Sequence, residues 1–410
     1  MRVILVFLLV FYPTVISWKT PKTKSCDTAK DPVQCEAQMQ SFEAEYAQGL
    51  GRTLAISKRQ AEITGLHRTL WRVEDCTVNP SLHEWVFAPW KGANSTSLLT
   101  ATSKPLLMTW CGSGRHGFRF VVVQRYREGW KQVKSSDVVE RLSPYRVPAS
   151  VAGLGFSDPR VFADTSCKNQ TSLRLVYCVK GKQNLAFQPS VELVSYNEAV
   201  DSLHLGRIGT LLDINATTSG LGEKNWSPFT YRGNTYYVYS IAPDHKIVSS
   251  YNQPLCEGEE RQTMQFIHST PFPSNFSWQW GHLRGGTPAV LVDGVVGPRY
   301  LSVFHSSTRY HHKAVRSYFM GAYLFSSEPP FGITHITPEP LVPRNLGHFY
   351  NKTELGWAYG GLDFVVFPVG LVLLDNETLA LSVGINDNRC YLLELGLRPL
   401  IQSMIQTNNK

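Results

Sequence analysis

The chain has 410 residues, of which 43% are hydrophobic and 18% charged. It can therefore bury a large core, and it does not have the composition of a disordered chain. The net charge of +8 comes from 40 Lys and Arg residues against 32 Asp and Glu residues. This positive charge is spread along the chain, with no basic run, zinc-finger or helix-turn-helix pattern. The sequence therefore argues against a nucleic-acid partner and is typical of a mildly basic secreted protein.

The amino terminus, MRVILVFLLVFYPTVISWK, has one Arg before an apolar run and small or aliphatic residues just before Trp18. This pattern predicts a secretory signal peptide over residues 1–17. The apolar run is short for a membrane span and Pro13 interrupts it, so no stable membrane insertion is expected after cleavage. The predicted localisation is the secretory pathway, either secreted or in the Golgi lumen. An uncleaved Golgi-type anchor is the alternative.

Sequons and cysteines agree with this compartment. Eight cysteines, an even number, are expected to pair in the secretory pathway, and Cys26–Cys35 and Cys167–Cys178 are plausible local bridges. The absence of a Cys-x-x-Cys pattern argues against a zinc or redox motif. Seven Asn-x-Ser/Thr sequons predict a glycoprotein; they begin at Asn94, Asn169, Asn215, Asn225, Asn275, Asn351 and Asn376.

Residues 18–64 are predicted to form a helical extension, because residues 29–62 are rich in Glu, Gln and Ala and Pro32 suits a first helical turn. From residue 65 onwards the chain consists of short runs rich in Val, Tyr, Phe and Leu, flanked by turn residues. No helical segments alternate with these runs, which disfavours a parallel α/β fold. Residues 65–410 are therefore predicted to be all-β, either a propeller or two sandwiches. The predicted strands are PLLMTWC, FRFVVVQRY, LRLVYCV, TYYVYSI, YLSVFHSS, YFMGAYLF, LDFVVFPVGLVLL and LALSVGI.

Two patterns that could indicate a cofactor or metal are better explained by β structure. The segment GSGRHG at 112–117 matches G-x-G-x-x-G, but a strand-like run follows it where a dinucleotide loop needs a helix. We predict a hairpin turn there. His305, His311 and His312 are close in sequence, but strand alternation separates their faces. No cofactor and no metal site is predicted.

The segment GLGFSDPRVF at 153–162 places a carboxylate and a guanidinium two residues apart. Taken alone, it favours a surface turn, because Asp-Pro commonly opens a turn and Arg160 could be a solvated neighbour.

The carboxyl-terminal half changes that interpretation. It carries, in order, the segments EKNWSPFTYRGNTYYVYSIAP, RGGTPAVLVDG, YLSVFHSS, YFMGAYLFS, PPFGITHITPEPLVP, LDFVVFPVGLVL and LALSVGINDNRC. This order resembles the five-bladed β-propellers of glycoside hydrolase family 130, the β-mannoside phosphorylases and hydrolases, and the related eukaryotic β-mannosyltransferase/phosphorylases. The resemblance covers residues 150–395 and implies that residues 65–410 form a five-bladed propeller.

The same resemblance implies roles for individual residues. Asp158, in the Asp-Pro-Arg motif, corresponds to the family's catalytic acid, acting directly or through a sugar hydroxyl. Cleaving a glycosidic bond needs an acid at the bridging oxygen and a nucleophile on the opposite face of the sugar. Phosphate can be that nucleophile, and Arg and Lys side chains can bind it. The predicted substrate- and phosphate-binding residues are Arg160, Lys224, Asn225, Arg284, His305, Asn79, Asp363 and Asp387. The expected partners are a carbohydrate substrate and a sugar 1-phosphate or inorganic phosphate.

Two departures from the family leave three functions open. Ser157 replaces the Glu that normally precedes Asp-Pro-Arg, and Phe325 stands where bacterial members have a sugar-contacting Asp. The first hypothesis is an inverting glycosyltransferase or phosphorylase acting on β-mannoside-type linkages. The second is a secreted hydrolase, for which Glu223 and Asp363 are the only guesses for a general base. The third is a non-catalytic carbohydrate-binding propeller.

Overall fold

The computed structural model describes the strand-rich part of the chain. The predicted signal peptide and helical extension lie outside the described residues. The described ranges are 70–73, 81–84, 106–111, 118–126, 129–136, 140–141, 156–164, 172–180, 187–197, 202–205, 210–214, 225–250, 261–294, 296–309, 316–342, 364–385 and 389–407.

The described residues form an all-β fold, and all eight strands predicted from the sequence are confirmed. Within these ranges one helix is present, α1 (Leu397–Gln402). No helix in the same ranges is long and apolar enough to cross a membrane. The strands on either side of segment 112–117 pair antiparallel, with Cys111 opposite Phe118, which is the pairing that a hairpin requires.

The first two antiparallel groups come from the amino-terminal half of the fold. Group I contains β2 (Ser81–Glu84), β3 (Leu106–Cys111), β4 (Phe118–Tyr126) and β5 (Gly129–Ser136). Group II contains β7 (Phe156–Asp164), β8 (Ser172–Lys180), β9 (Phe187–Asn197) and β10 (Ser202–Leu205). The short strand β6 (Glu140–Arg141) pairs with β10, and β11 (Thr210–Ile214) pairs with β9.

Three further groups follow along the chain. Group III contains β12 (Ser227–Tyr231), β13 (Asn234–Ser240), β14 (Asp244–Ser249) and β15 (Arg261–Pro271), with β11 along part of β15. Group IV contains β16 (His282–Arg284), β17 (Val290–Val292), β18 (Arg299–Arg309), β19 (Arg316–Ser326) and β20 (Ile333–Ile336). Group V contains β21 (Phe364–Leu373), β22 (Thr378–Ile385) and β23 (Arg389–Gly396). The final strand, β24 (Ile405–Gln406), pairs with β20.

The amino-terminal strand β1 (Leu70–Val73) completes group V by pairing with β23, so that residues from the two ends of the described chain share one sheet. Glu394 on β23 links group V to group I. Its carboxylate accepts hydrogen bonds from the Trp130 indole, at 2.8 Å, and from Arg125, at 2.9 Å. Groups I and V are therefore held together by a buried carboxylate.

The hydrophobic cores lie between groups, which explains why several strands are apolar on both faces. On β19, Met320, Ala322 and Leu324 belong to the core shared with group V, while Tyr323 and Phe325 belong to an aromatic core shared with group III. Successive side chains of a strand point to opposite faces, so one strand contributes to two cores.

The strands that open groups I, II, III and V meet around β7. Strand β7 contacts β2, β12 and β21, and β21 also contacts β2 and β17. This meeting point brings together the segments that carry the sequence motifs.

Candidate functional site

The Asp-Pro-Arg segment is a buried β-bulge within β7. Ser157 pairs with Cys178 and Arg160 pairs with Val176, so Asp158 and Pro159 together oppose a single residue of β8. Pro159 suits a bulge because it has no backbone N–H to give to the ladder. Asp158 is 7% exposed and Arg160 is 1% exposed. The interpretation of this segment as a surface turn is therefore wrong.

Asp158 has a backbone conformation that few residues adopt. Its φ angle is 54°, in the left-handed region. Asp and Asn tolerate this region better than other residues with a Cβ atom, and bulges commonly redirect a side chain beside a functional site. The conformation interrupts the regular backbone of β7 at Asp158.

Arg160 connects three separate segments of the chain. Its Nε donates to the carbonyl oxygen of Gly286, its Nη1 to that of Asp158 at 2.9 Å, and its Nη2 to Asn225 Oδ1 at 3.3 Å. Burial lowers the pKa of Arg160, and the negative charge of Asp158 opposes that shift. A guanidinium starts from so high a pKa that it remains charged. The site thus holds a buried cation beside the Asp158 carboxylate.

Asn225, in the neighbouring group III, shares the positive φ and the burial of Asp158. It stands just before β12, its φ is 69°, and it is 3% exposed. The side-chain oxygen that accepts from Arg160 makes it part of the same buried network. Asp158 and Asn225 are two of the four residues other than glycine with a positive φ among the described ranges. Such conformations concentrate at functional sites, because the surrounding structure has to enforce them.

The two glycines of the Arg-Gly-Gly segment are needed for close approach. A Cβ at Gly285 would overlap the Asn225 carbonyl oxygen and lie 2.6 Å from Ser227 Oγ. A Cβ at Gly286 would overlap the Val303 carbonyl oxygen and lie 3.1 Å from Pro368 Cγ. The loop between β16 and β17 therefore lies directly against β12, β18 and β21, which places the Gly286 carbonyl within reach of Arg160.

His305 and Arg284 form a cross-strand pair beside this loop. The His305 ring is buried, with its centroid 4.3 Å from that of Phe367 and nearly parallel to the ring of Tyr318. Arg284 is exposed. Through His305 and its contact with Phe367, the pair connects the Gly-Gly loop to β21, which carries the Phe-Pro-x-Gly segment at 367–370. Arg284 provides an exposed cation beside the network.

A second buried network holds β7 to group III. Asp164, at the end of β7, accepts hydrogen bonds from Arg174 at 2.5 Å and from the Thr235 hydroxyl at 2.7 Å. The Thr230 hydroxyl donates to the Ala163 carbonyl at 3.1 Å. Together with the bond from Arg160 to Asn225, these contacts fix both ends of β7 against β12 and β13.

The structure thus brings Asp158, Arg160 and Asn225 into direct contact and places His305 and Arg284 beside the adjoining loop. The remaining predicted site residues, Lys224, Asn79, Asp363 and Asp387, lie outside the described residues. Phe367 and Tyr318 were not predicted from the sequence, although the Phe-Pro-x-Gly motif contains Phe367.

Cys178 also adjoins the site and requires a correction. The predicted Cys167–Cys178 bridge does not form, because Cys178, near the end of β8, is buried and is not disulfide-bonded. The Cys178 side chain acts to raise the pKa of Arg160, against the larger effect of burial. Cys390, on β23, is disulfide-bonded.

Aromatic side chains can stack on sugar faces, and the sequence offers four candidates with varied surroundings: Trp226, Trp278, Trp280 and Tyr359. Trp226 is buried in the core between groups II and III. Trp278 donates to Ser306 Oγ at 2.9 Å, and the Trp280 ring packs 5.0 Å from Phe319. Tyr359, also considered, lies outside the described residues. Phe325, which replaces the family's Asp, is fully buried among aromatic rings.

No group of three potential metal ligands occurs within the ranges that the structure covers.

Solved structures that are similar to the chain include three carbohydrate-related proteins. A candidate glycoside hydrolase from Bacteroides ovatus has a TM-score of 0.48 and 14% identity, covering 80% of this chain and 89% of that protein. A β-1,2-mannobiose phosphorylase from Listeria innocua has a TM-score of 0.40 and 15% identity, covering 70% and 69%. A mannose phosphorylase from Leishmania mexicana has a TM-score of 0.39 and 12% identity, covering 86% and 96%. No protein-family model and no curated protein matches the chain.

Proposed function

We propose that this chain is a carbohydrate-active enzyme that makes or cleaves β-mannoside-type linkages with inversion, using Asp158 as the general acid. One observation carries the proposal. Arg160 makes three hydrogen bonds that join three sequence motifs: Asp-Pro-Arg at 158–160, Lys-Asn at 224–225 and Gly-Gly-x-Pro-Ala at 285–289. The first and last of these motifs are more than 120 residues apart in the sequence. Three motifs that the sequence predicts to act together therefore share one buried network.

The network suits acid catalysis in a particular way. Proton donation to a bridging oxygen requires a carboxyl group held in a fixed position. Asp158 stands in the bulge of β7, and the guanidinium of Arg160 holds the backbone of that bulge through the Asp158 carbonyl. Arg160 acts in this scheme chiefly as a positioning residue. Arg284 and His305, with Lys224, are the groups we assign to the phosphate of a phosphorolytic reaction or of a sugar phosphate donor.

We further propose that the fold is a five-bladed propeller and that the protein works in the secretory pathway. The antiparallel pairings within groups I to V, the contacts of β7 with β2, β12 and β21, and the pairing of β1 with β23 support the propeller. The signal-peptide pattern and the sequons support the compartment. Sugar donors are available in the Golgi whereas phosphate is scarce outside cells, which favours a transferase over a phosphorylase.

A non-catalytic carbohydrate-binding protein is the second candidate. It is favoured by Phe325, which stands where the resembling bacterial enzymes have an Asp and is packed among Phe229, Tyr300 and Tyr323. Loss of that carboxylate would remove a sugar contact, so binding could persist without turnover.

A donor screen on the secreted protein tests the proposal. Wild type is compared with Asp158→Asn, which keeps a residue that tolerates positive φ, and with Asp293→Asn, an exposed control on a hairpin. The donors are mannose 1-phosphate, GDP-mannose, and manno-oligosaccharides with and without phosphate. Turnover that is lost in Asp158→Asn and retained in Asp293→Asn supports the enzyme. Absence of turnover with every donor, together with glycan binding unchanged in Asp158→Asn, would establish the binding protein instead.

A further inference from the structure

A row of aromatic rings leads outward from Asn225. Trp226 follows Asn225 in the chain and is buried. Its ring centroid lies 5.8 Å from that of Tyr239, and the Tyr239 ring lies 5.0 Å from Phe266. Phe266 is 47% exposed, so the row begins beside the buried network and ends in solvent.

Strand register places the row at the end of group III that carries Asn225. Ser227, at the start of β12, pairs with Val238 of β13, and Val248 of β14 pairs with both Tyr237 and Phe266. Residues directly opposite each other across antiparallel strands share a sheet face. Phe266 therefore lies on the same face as the buried core between groups II and III, level with the first residues of β12.

Polar groups border the exposed ring. Lys246 Nζ lies 5.8 Å from the Phe266 ring centroid, and the same ammonium lies 3.7 Å from Asp244 Oδ2. Both side chains are more than a third exposed. Tyr239 meets Phe266 edge-on, at an interplanar angle of 88°. An aromatic ring with an ammonium and a carboxylate beside it combines the apolar surface and the hydrogen-bonding groups that ligand sites use.

We infer that Phe266, Tyr239, Lys246 and Asp244 form an outer subsite that binds a distal sugar of an oligosaccharide whose reacting end lies at Asp158; this inference rests on the proposed function. A sugar ring offers an apolar C–H face to Phe266 and hydroxyl groups to Lys246 and Asp244. The occupant is a neutral carbohydrate chain, because the row is continuous with the candidate site through Trp226 and Asn225. Leu291 and Ile405, the other large exposed apolar residues described, lie on β17 and β24, outside group III.

Binding of manno-oligosaccharides of increasing length tests the subsite. The Asp158→Asn protein, which leaves the ligand intact, is titrated calorimetrically with a disaccharide, a trisaccharide and a tetrasaccharide. Affinity is expected to rise with length. Adding Phe266→Ala should lower affinity for the longer ligands by about two- to tenfold and leave the disaccharide unchanged, because only the longer ligands lose an aromatic contact. Phe266→Trp should retain the rise in affinity with oligosaccharide length, because the aromatic contact remains.

Leu291→Ala is the matched control, because Leu291 is 54% exposed and lies on β17 of group IV. It should bind every ligand as the parent does. Disaccharide binding without any gain from length, or a gain that survives Phe266→Ala, overturns the outer subsite while the proposed function stands. Absence of binding at every length overturns both.

Discussion

Arg160 Nη1 donates a hydrogen bond to the carbonyl oxygen of Asp158, two residues earlier on the same strand, at 2.9 Å. Regular β pairing leaves the carbonyl groups of a strand to its neighbours, but a bulge interrupts that ladder. Here a buried guanidinium supplies the donor that the ladder lacks. The unusual backbone of Asp158 is therefore stabilised by the same side chain that reaches Asn225 and Gly286 in other groups.

Replacing Arg160 by Lys should disable the site. An ammonium is a single point donor and cannot bond to Gly286, Asp158 and Asn225 in the planar arrangement of a guanidinium. Leaving buried acceptors without donors should lower the free energy of unfolding by about 2–4 kcal/mol. Misplacement of Asp158 should lower kcat/KM by about 100-fold or more. Urea unfolding and steady-state kinetics measure the two effects.

Arg232→Lys is the control for this change, because Arg232 is 73% exposed and pairs with Glu328 at the surface. Both its stability and its activity should remain near those of wild type. If Arg160→Lys behaves as this surface variant does, Arg160 does not hold the site.

Substitution of Gly286 by Ala should disturb the site through packing alone. The new Cβ would overlap the Val303 carbonyl oxygen, so the loop must move away from β18 and take the Gly286 carbonyl from Arg160. We expect a loss of about 2–3 kcal/mol in the free energy of unfolding, measured by urea denaturation.

Gly294→Ala separates that steric cost from the general cost of replacing glycine. Gly294 has a φ of 107° and no atom within 4 Å of its added Cβ. The Gly294→Ala variant should lose about 1 kcal/mol of unfolding free energy from backbone strain alone, and its activity should not change. Equal losses in the two variants would contradict the close approach at Gly286.

The sequence predicted the strands well because they are long, apolar runs between turn residues. Each of the eight runs is a strand, and the antiparallel pairing across segment 112–117 agrees with a hairpin. The family resemblance placed Asp158, Arg160 and Asn225 around one site, and in the structure Arg160 hydrogen-bonds to both of the other residues. The composition of the cores could not be predicted. Strand alternation puts Met320 and Tyr323 on opposite faces of β19, but it does not say which other strands pack against each face.

The burial of the Asp-Pro-Arg segment was beyond local sequence reasoning. Asp-Pro favours a turn when only neighbouring residues are considered. What makes it a bulge is the pairing with β8 and the acceptors that Asn225 and Gly286 give to Arg160, and these come from distant parts of the chain. The Cys167–Cys178 bridge was wrong for a similar reason. Sequence spacing allowed it, but Cys178 belongs to the interior of the sheet.

Glycan occupancy should differ among the three described sequons. Asn225 is buried and its side-chain oxygen accepts from Arg160, so a glycan there is incompatible with this fold. Pro228 directly after that sequon also disfavours modification. Asn275 and Asn376 are exposed, and Asn376 lies in the turn between β21 and β22. Glycopeptide mass spectrometry of the secreted protein should find glycans at Asn275 and Asn376 but not at Asn225. Occupancy at Asn225 would remove that residue from the site.

His245 should make the folded protein sensitive to acid. It is fully buried on β14, and its Nδ1 lies 2.9 Å from the Phe331 carbonyl oxygen, which fits a neutral ring that donates from Nδ1. Burial lowers the pKa of His245 from 6.5 to about 4, against the opposing effect of that hydrogen bond. Between these two values the unfolded chain binds a proton that the folded protein does not.

The stability contributed by neutral His245 is therefore complete above about pH 6.5 and is lost as the pH falls towards 4. The free energy of unfolding of wild type should decrease by about 3 kcal/mol over that range because of this residue alone. His245→Asn retains a donor for the Phe331 carbonyl and has no ring to protonate. It should be less stable than wild type at pH 7 because of the lost ring contacts with Tyr323 and Phe325, but its stability should fall less steeply with acid. Parallel stability curves for the two proteins between pH 4 and 7 would show that His245 does not titrate with unfolding.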